Sequence, residues 1–463
     1  MEEFISFEEE NNLFAWNIDS IPIWELVRTI IFTELSSKLV NKFVVKRNEK
    51  KGLRIKLFFN ILYNSIFHNP FFSFKRKDIL ILNHPRRKFN QGFFEDIYID
   101  NLLPSLNNNY LLLEGFVSHN QAHLKPIKRN NFFYLDLIQF TSNIISKKQG
   151  TKLSLGDLEK IKTLEWKISN IWNVHTNTLQ NEIPILLKKW KITKFFIVKL
   201  LIKFKPKVVV TVVSYSFINQ VFNYVSKQKK IPIVELQHGT VGKYHINYNY
   251  KNYKNLTLKT FPDFFLAWGE NWVKNSRLPL LDKNIISTGY PYIDNFRNEI
   301  KIKRNLNQLV FISQIREDIA YFTQEVAKIL PDFKIIFKAH PAEYSFANRK
   351  YKSILISKNI EIVTNDEKNL YTLFKESYAI FGVHSTALIE ALAFCPKIGI
   401  IKLSGWEYFE NIEESNKIVF IDNKKDAIDY ILKNDYKDSK ILNNNYFENN
   451  SRENIINFLN KFL

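Results

Sequence analysis

Short apolar runs of strand length alternate along this chain with longer stretches in which apolar residues recur every three or four positions. The runs at 78–83, 110–114, 207–213, 231–236, 264–267 and 285–287 predict strands in the first half. Those at 309–313, 334–338, 360–363, 379–381, 397–401 and 417–421 repeat the pattern in the second. Helical periodicity dominates 151–204, and 445–463 reads as a closing helix. Such alternation is the signature of parallel βαβ units, in which helices cover both faces of a sheet. The predicted fold class is therefore α/β, with two doubly wound Rossmann-type domains facing a central cleft. At 463 residues the chain is long enough for two cores. The polar, charged segment 295–307 marks the division, so the expected domains are 1–300, with a helical insertion, and 301–445, followed by a helix at 446–463.

Charge and composition narrow the partners. Lysine and arginine outnumber aspartate and glutamate by 66 to 46, a net charge of +20, which favours an anionic partner. The lysines are scattered and no nucleic-acid module is recognisable, so nucleic acid is not expected. Cys395 is the sole cysteine, which excludes an internal disulfide and a cysteine-based metal cluster. The glutamate-rich start is unlike a signal peptide, and no stretch supplies about 18 clean apolar residues, so a cytoplasmic protein without a membrane span is expected. Segment 44–76 mixes lysine and arginine with phenylalanine. A packed amphipathic helix pair with solvated lysines is its plainer reading, and peripheral contact with an anionic membrane on the inner face is the alternative.

Three strand ends carry candidate chemistry, and ligands of open parallel sheets bind at such ends. The run 231–236 stops at Gln237-His238-Gly239-Thr240. There His238 offers a base or phosphate partner near neutral pH, and Gly239 permits close backbone approach or a positive φ. The run 334–338 ends in Ala339-His340-Pro341, where proline fixes the turn and His340 can donate to a phosphate oxygen. The run 379–381 leads to Gly382-Val383-His384-Ser385-Thr386 and then a helix. Two hydroxyls and free N–H groups at a helix start can receive a phosphate, and Glu390, one turn on, can accept from ribose hydroxyls. Each also has a plain reading, as a turn histidine, a surface loop or an ordinary cap.

A fourth run, 79–82, is followed by His84, Arg86 and Arg87, with Glu95, Asp96 and Asp100 in an expected loop. These groups can bind or deprotonate an acceptor hydroxyl, or form a solvated charged loop. His119, His123, His175 and His245 lack metal-ligand spacing, and no metal or other cofactor is expected.

In order, Gln237–Thr240, Ala267-Trp268-Gly269, Thr288-Gly289-Tyr290-Pro291-Tyr292-Ile293-Asp294, Lys338–Pro341 and His384–Leu392 resemble the metal-independent transferases of the GT-B superfamily. Within it the order is similar to CDP-glycerol glycerophosphotransferases and to bacterial capsule and lipopolysaccharide sialyltransferase-like enzymes. The resemblance spans about 231–401. It implies a nucleotide-activated donor, CMP- or CDP-linked, with Gly239, Thr240, His340, Pro341, His384, Ser385, Thr386 and Glu390 on the donor. It implies a base at His238, or an acidic residue of the first domain, for which Asp96 is the candidate. The first domain is expected to bind the acceptor, with His84, Arg86, Arg87 and Asp100 meeting it. Val383-His384-Ser385-Thr386 departs from the Asp-Tyr-Ser-Ser of the glycerophosphotransferases, which puts polyol-phosphate transfer in doubt.

The expected activity is a glycosyltransferase that moves a sugar, such as a nonulosonic acid, onto a glycan or lipid-linked glycan acceptor of the bacterial surface. The alternatives are a CDP-polyol phosphotransferase of the teichoic-acid type and a non-catalytic nucleotide- or glycan-binding subunit.

Overall fold

The computed structural model describes residues 1–39, 51–73, 75–84, 87–90, 92–115, 127, 130–297, 303–365, 369–395, 397–410, 418–433 and 445–463. Packing divides the chain into two units. The first comprises Met1–Ala267, Ser276–Gly289 and Ser451–Leu463, and the second Trp268–Asn275 and Tyr290–Asn450. The division expected between 300 and 301 lies outside the described residues.

The first unit is built on β1 (Ile79–Leu82), β2 (Tyr110–Glu114), β3 (Phe132–Tyr134), β4 (Val208–Val212), β5 (Ile233–Leu236), β6 (Phe264–Ala267) and β7 (Ile285–Ser287). They form one parallel sheet in the order β3-β2-β1-β4-β5-β6-β7. β1 (Ile-Leu-Ile-Leu) and β4 (Val-Val-Val-Thr-Val) are buried at every position, as required of strands covered on both faces. Each fully buried aliphatic side chain there contributes about 1.5–3 kcal/mol of removed apolar surface.

Between β3 and β4 the chain leaves the sheet through the helices Asp136–Lys148, Leu155–Trp172 and Thr178–Phe204, the helical insertion. It re-enters on the other side of β1. Strand order therefore reverses between β1 and β4, which opens a crevice beyond their carboxyl ends. The helices Glu2–Glu10 and Ile23–Leu39 join the same core through Phe4, Phe7, Trp24 and Ile31. The closing helix, Ser451–Asn460, belongs to this unit as well, with Phe458 set against Phe264 at 5.3 Å.

The second unit contains β8 (Asn305–Ile312), β9 (Lys334–Lys338), β10 (Ile360–Val363), β11 (Ser377–Gly382), β12 (Ile398–Ile401) and β13 (Ile418–Ile421). Their order is β10-β9-β8-β11-β12-β13, parallel throughout, with the reversal between β8 and β11. Both units are thus doubly wound Rossmann-type sheets, in accord with the expected fold class.

Two elements differ from the sequence reading. β3 is a three-residue edge strand, too short to carry a periodic signal. The acidic segment read as a loop is the second strand of an antiparallel hairpin, Arg87–Asn90 with Phe93–Asp96, turned by Gly92 at φ 86°.

Candidate functional site

In the first unit, the loops leaving β1 and β4 at the reversal point, and the loop after the adjacent β5, bring His84, Tyr215 and His238 together. Ring centroids lie 6.2 Å apart for His84 and His238, and 5.8 Å for Tyr215 and His238. His238 is half-buried. Its Nε2 is 3.2 Å from the Tyr215 hydroxyl and its Nδ1 is 3.2 Å from the Tyr248 hydroxyl. Tyr98 donates to its backbone carbonyl at 2.8 Å.

Behind this ring the Tyr248 hydroxyl donates to Glu235 Oε1 at 2.7 Å, and the Ser214 N–H donates to the same oxygen at 2.9 Å. With its proton committed to Glu235, the Tyr248 oxygen accepts from His238 Nδ1–H. Nε2 then carries the imidazole lone pair, which is the protonation state of a base. Glu235 is fully buried and burial pushes its carboxyl up to about 7. Burial also raises the hydroxyls of Tyr215 and Tyr248, so both stay protonated. His245, 4.7 Å from Tyr248 between ring centroids, is pushed by burial down to about 4 and is neutral at physiological pH.

The loop carrying Tyr248 is held from the amino-terminal helices. Arg28 forms a buried pair with Glu8 at 2.6 Å and donates to the backbone carbonyls of Ile246 and Asn249, the latter at 2.8 Å. Its guanidinium lies 4.2 Å from the Tyr250 ring centroid. Val213, directly after β4, adopts φ 61°, a conformation β-branched residues avoid. Backbone strain of this kind concentrates where a side chain must be aimed, and Val213 sits two residues before Tyr215.

The other groups expected to act with His238 take structural parts. Asp96 is fully buried, 3.2 Å from Arg87, and accepts from the His84 and Tyr98 N–H groups at 3.1 and 2.9 Å. A carboxylate so enclosed cannot reach an acceptor proton, so the structure does not favour it as the base. Arg87 is correspondingly withdrawn from acceptor binding: its side chain is buried between Asp96 and Glu114, and it donates to the His84 carbonyl. The Asp100 carboxylate accepts from the Asp96 N–H at 2.8 Å, which closes the hairpin onto the following turn. Arg86 lies outside the described residues, as do His119 and His123. The Gly239 carbonyl accepts from the Gln237 side chain at 2.7 Å, with Thr240 half-buried beside it. Positive φ falls instead on Gly242, at 146°.

In the second unit, the loops after β8 and β11 meet at the reversal point, where the His384 N–H donates to Gln314 Oε1 at 3.0 Å. Ile315, in the loop after β8, has φ 65°, so each sheet places a strained β-branched residue beside its reversal. Ser385 caps the helix Thr386–Ala391 by accepting from the Ala387 N–H at 3.2 Å. That helix has six residues, little more than one turn, so hydroxyls and N–H groups outweigh any macrodipole.

His340 follows β9 on an exposed turn. Its Nδ1 accepts from the Ala342 N–H at 3.2 Å, which leaves Nε2–H as a donor. Pro341 opens the turn, and Glu343 accepts from the His340 N–H at 3.1 Å while also bonding Ser313 and Tyr351. His384 stacks on Tyr408 with centroids 5.7 Å apart.

Glu390 departs from the ribose role: it is buried and accepts from the Tyr371 hydroxyl at 2.7 Å, because this face of the short helix packs inward with Leu388 and Ile389. Lys338 is likewise buried, bonded to Tyr344 at 2.6 Å and to the Asn365 carbonyl. Trp268 and Tyr290 of the remaining motifs are buried and stack on one another with ring centroids 4.7 Å apart.

Sequence reasoning passed over Glu235, Tyr215, Tyr248 and Gln314. A glutamate inside the apolar run Ile231–Leu236 is the one signal that could have directed attention there, since a buried carboxyl needs partners.

No protein-family model matches the chain, and no curated protein matches it. Among solved structures, the UDP-GlcNAc 2-epimerase of Neisseria meningitidis, bound to UDP-GlcNAc, is similar. It is 12% identical, with 83% of this chain and 99% of that one covered at a TM-score of 0.50. Another UDP-N-acetylglucosamine 2-epimerase is also 12% identical, with 84% and 96% covered at a TM-score of 0.50. The likeness is one of fold, and it agrees with the GT-B-like class of two Rossmann-type α/β domains.

Proposed function

We propose that this protein is a glycosyltransferase that moves a sugar from a nucleotide-activated donor to a surface-glycan acceptor. The observation that carries the reading is His238, on the loop after the strand next to the reversal point, with Nδ1 backed by Tyr248 and Glu235. Once the acceptor hydroxyl displaces the Tyr215 hydroxyl that donates to Nε2, this nitrogen removes the acceptor proton as the acceptor oxygen bonds to the anomeric carbon and the bond from that carbon to the donor phosphate breaks. Glu235, through Tyr248, stabilises the imidazolium that results. The phosphate departs with the bonding electrons as the free nucleotide. In the second unit, taken by itself, the Nε2–H of His340 and the hydroxyls of Ser385 and Thr386 are groups of the kind that bind a phosphate. The motif order supports a CMP- or CDP-linked donor. A UDP-linked donor is the second reading, favoured by the UDP-GlcNAc bound to the Neisseria epimerase that shares the fold.

Thermal-shift measurements with CMP, CDP, UDP and GDP test the proposal, because a ligand at about 100 times its dissociation constant stabilises a fold by about 2.7 kcal/mol. Stabilisation by one cytidine nucleotide, lost in His340→Ala, supports the first reading. Stabilisation by UDP alone selects the second, and no response to any nucleotide contradicts both.

A further inference from the structure

The helix Lys51–Phe67 is amphipathic in the reverse sense. Phe58, Phe59, Leu62, Tyr63, Ile66 and Phe67 follow the i, i+3, i+4 spacing of one helix face, and all six are 47–66% exposed. The opposite face buries polar Asn64, whose amide donates to Asp136 Oδ2 at 3.0 Å and ties the helix to Asp136–Lys148. Phe72, a few residues on, is 65% exposed. The described part of segment 44–76 therefore departs from a packed helix pair in that its aromatic side is turned to water, and an apolar stripe of this kind marks an interaction surface.

The charges around the stripe identify its occupant. Sequence 51–67 contains no acidic residue. Lys75, Arg76 and Lys77 line an open groove with Asn130 and Asn131, and the neighbouring helix ends in exposed Lys147 and Lys148. A second copy docked on this stripe would bring the basic rims together, whereas an anionic bilayer neutralises them. Among the described residues, no helix is long and apolar enough to cross a membrane.

We infer that the outward face of helix residues 58–67 is a peripheral docking surface for an anionic lipid bilayer. Its aromatic side chains enter the interface and the surrounding lysines and arginines meet lipid phosphates. The inference goes beyond the transferase reading and does not depend on it.

Co-sedimentation of the full chain with vesicles, without nucleotide, provides the test. The chain is expected to pellet with vesicles of equal parts phosphatidylglycerol and phosphatidylcholine, less so as salt rises, and not with phosphatidylcholine alone. Phe59→Ser with Phe67→Ser is expected to lower partitioning at least ~10-fold with an unchanged Tm, since both side chains are already exposed. Lys75→Glu with Arg76→Glu, away from the helix, is expected to lower it at least ~10-fold as well. Unchanged partitioning in either variant, or no binding to the anionic vesicles, overturns the inference. So does a lipid-free dimer that the serine substitutions dissociate, which would make a second copy the occupant. Because no nucleotide is present, a failed donor screen leaves this result standing.

Discussion

The Tyr248 hydroxyl stands between His238 Nδ1, 3.2 Å away, and Glu235 Oε1, 2.7 Å away, so one side chain links a half-buried imidazole to a fully buried carboxyl. Removing the hydroxyl while keeping the ring leaves His238 free to adopt its other tautomer, with the lone pair on the wrong nitrogen. Tyr248→Phe is expected to lower kcat by roughly 10- to 100-fold, the range typical of partners that orient a histidine. Donor affinity should be unchanged. Equal losses in donor binding would instead indicate a collapsed loop.

Glu235 couples the same site to pH. Its carboxyl titrates near 7 in the folded chain, against an ordinary value of 4.5. Between those values the folded state holds a proton that the unfolded chain has released, so stability falls as pH rises from 4.5 through about 7. Glu235→Gln removes this loss. Unfolding free energies at pH 8 should favour the variant by on the order of 3 kcal/mol, whereas at pH 4.5 or below the two chains should match. His245 contributes with the opposite sign: its stability is present above 6.5 and lost as pH falls through about 4. Both chains share that contribution, so it cancels in the difference.

Val213, at φ 61°, predicts an unusual response to a polar residue beside a strand. Asparagine tolerates the left-handed conformation that valine resists. Val213→Asn should therefore raise Tm by roughly 1–2 °C, the shift about 1 kcal/mol produces in a unit of this size. Calorimetry checks this, and a lowered Tm would show that the valine side chain contributes more through packing than its backbone loses.

Gly405 lies at φ 99°, and a Cβ there would come within 2.8 Å of His384 Nδ1. Gly405→Ala should both strain the backbone and displace the His384 ring, lowering stability by about 1–3 kcal/mol. If His384 belongs to the donor site, nucleotide affinity should fall in the same variant. Isothermal titration with the nucleotide that stabilises the native chain checks the second effect.

Strand ends were the legible part of this chain. β2 and β6 coincide with apolar runs because buried parallel strands leave an uninterrupted signal, and His238, His340 and Ser385 were found among the polar groups that follow such runs. What lies behind those groups was not legible. Tyr248 reaches His238 across a loop of ten residues, and Tyr215 reaches it from β4, so neither spacing announces the contact. Asp96 shows the converse: sequence displays its charge but not that Arg87 faces it across a hairpin and seals it inside. The stripe from Phe58 to Phe67 was visible as an apolar periodicity, but periodicity cannot say which face turns to water.

The most direct test of the transferase reading compares turnover with binding in His238→Ala. Nucleotide release from CMP-, CDP-, UDP- and GDP-sugars would be followed with a bacterial surface-glycan extract as acceptor, and donor affinity measured alongside. The native chain should release nucleotide from one donor class in an acceptor-dependent manner. His238→Ala should bind that donor equally well and turn it over at least ~100-fold more slowly, the contribution expected of a general base. Undiminished turnover in the variant, or no donor consumed by the native chain, would contradict the assignment of His238 as the base of a sugar transfer.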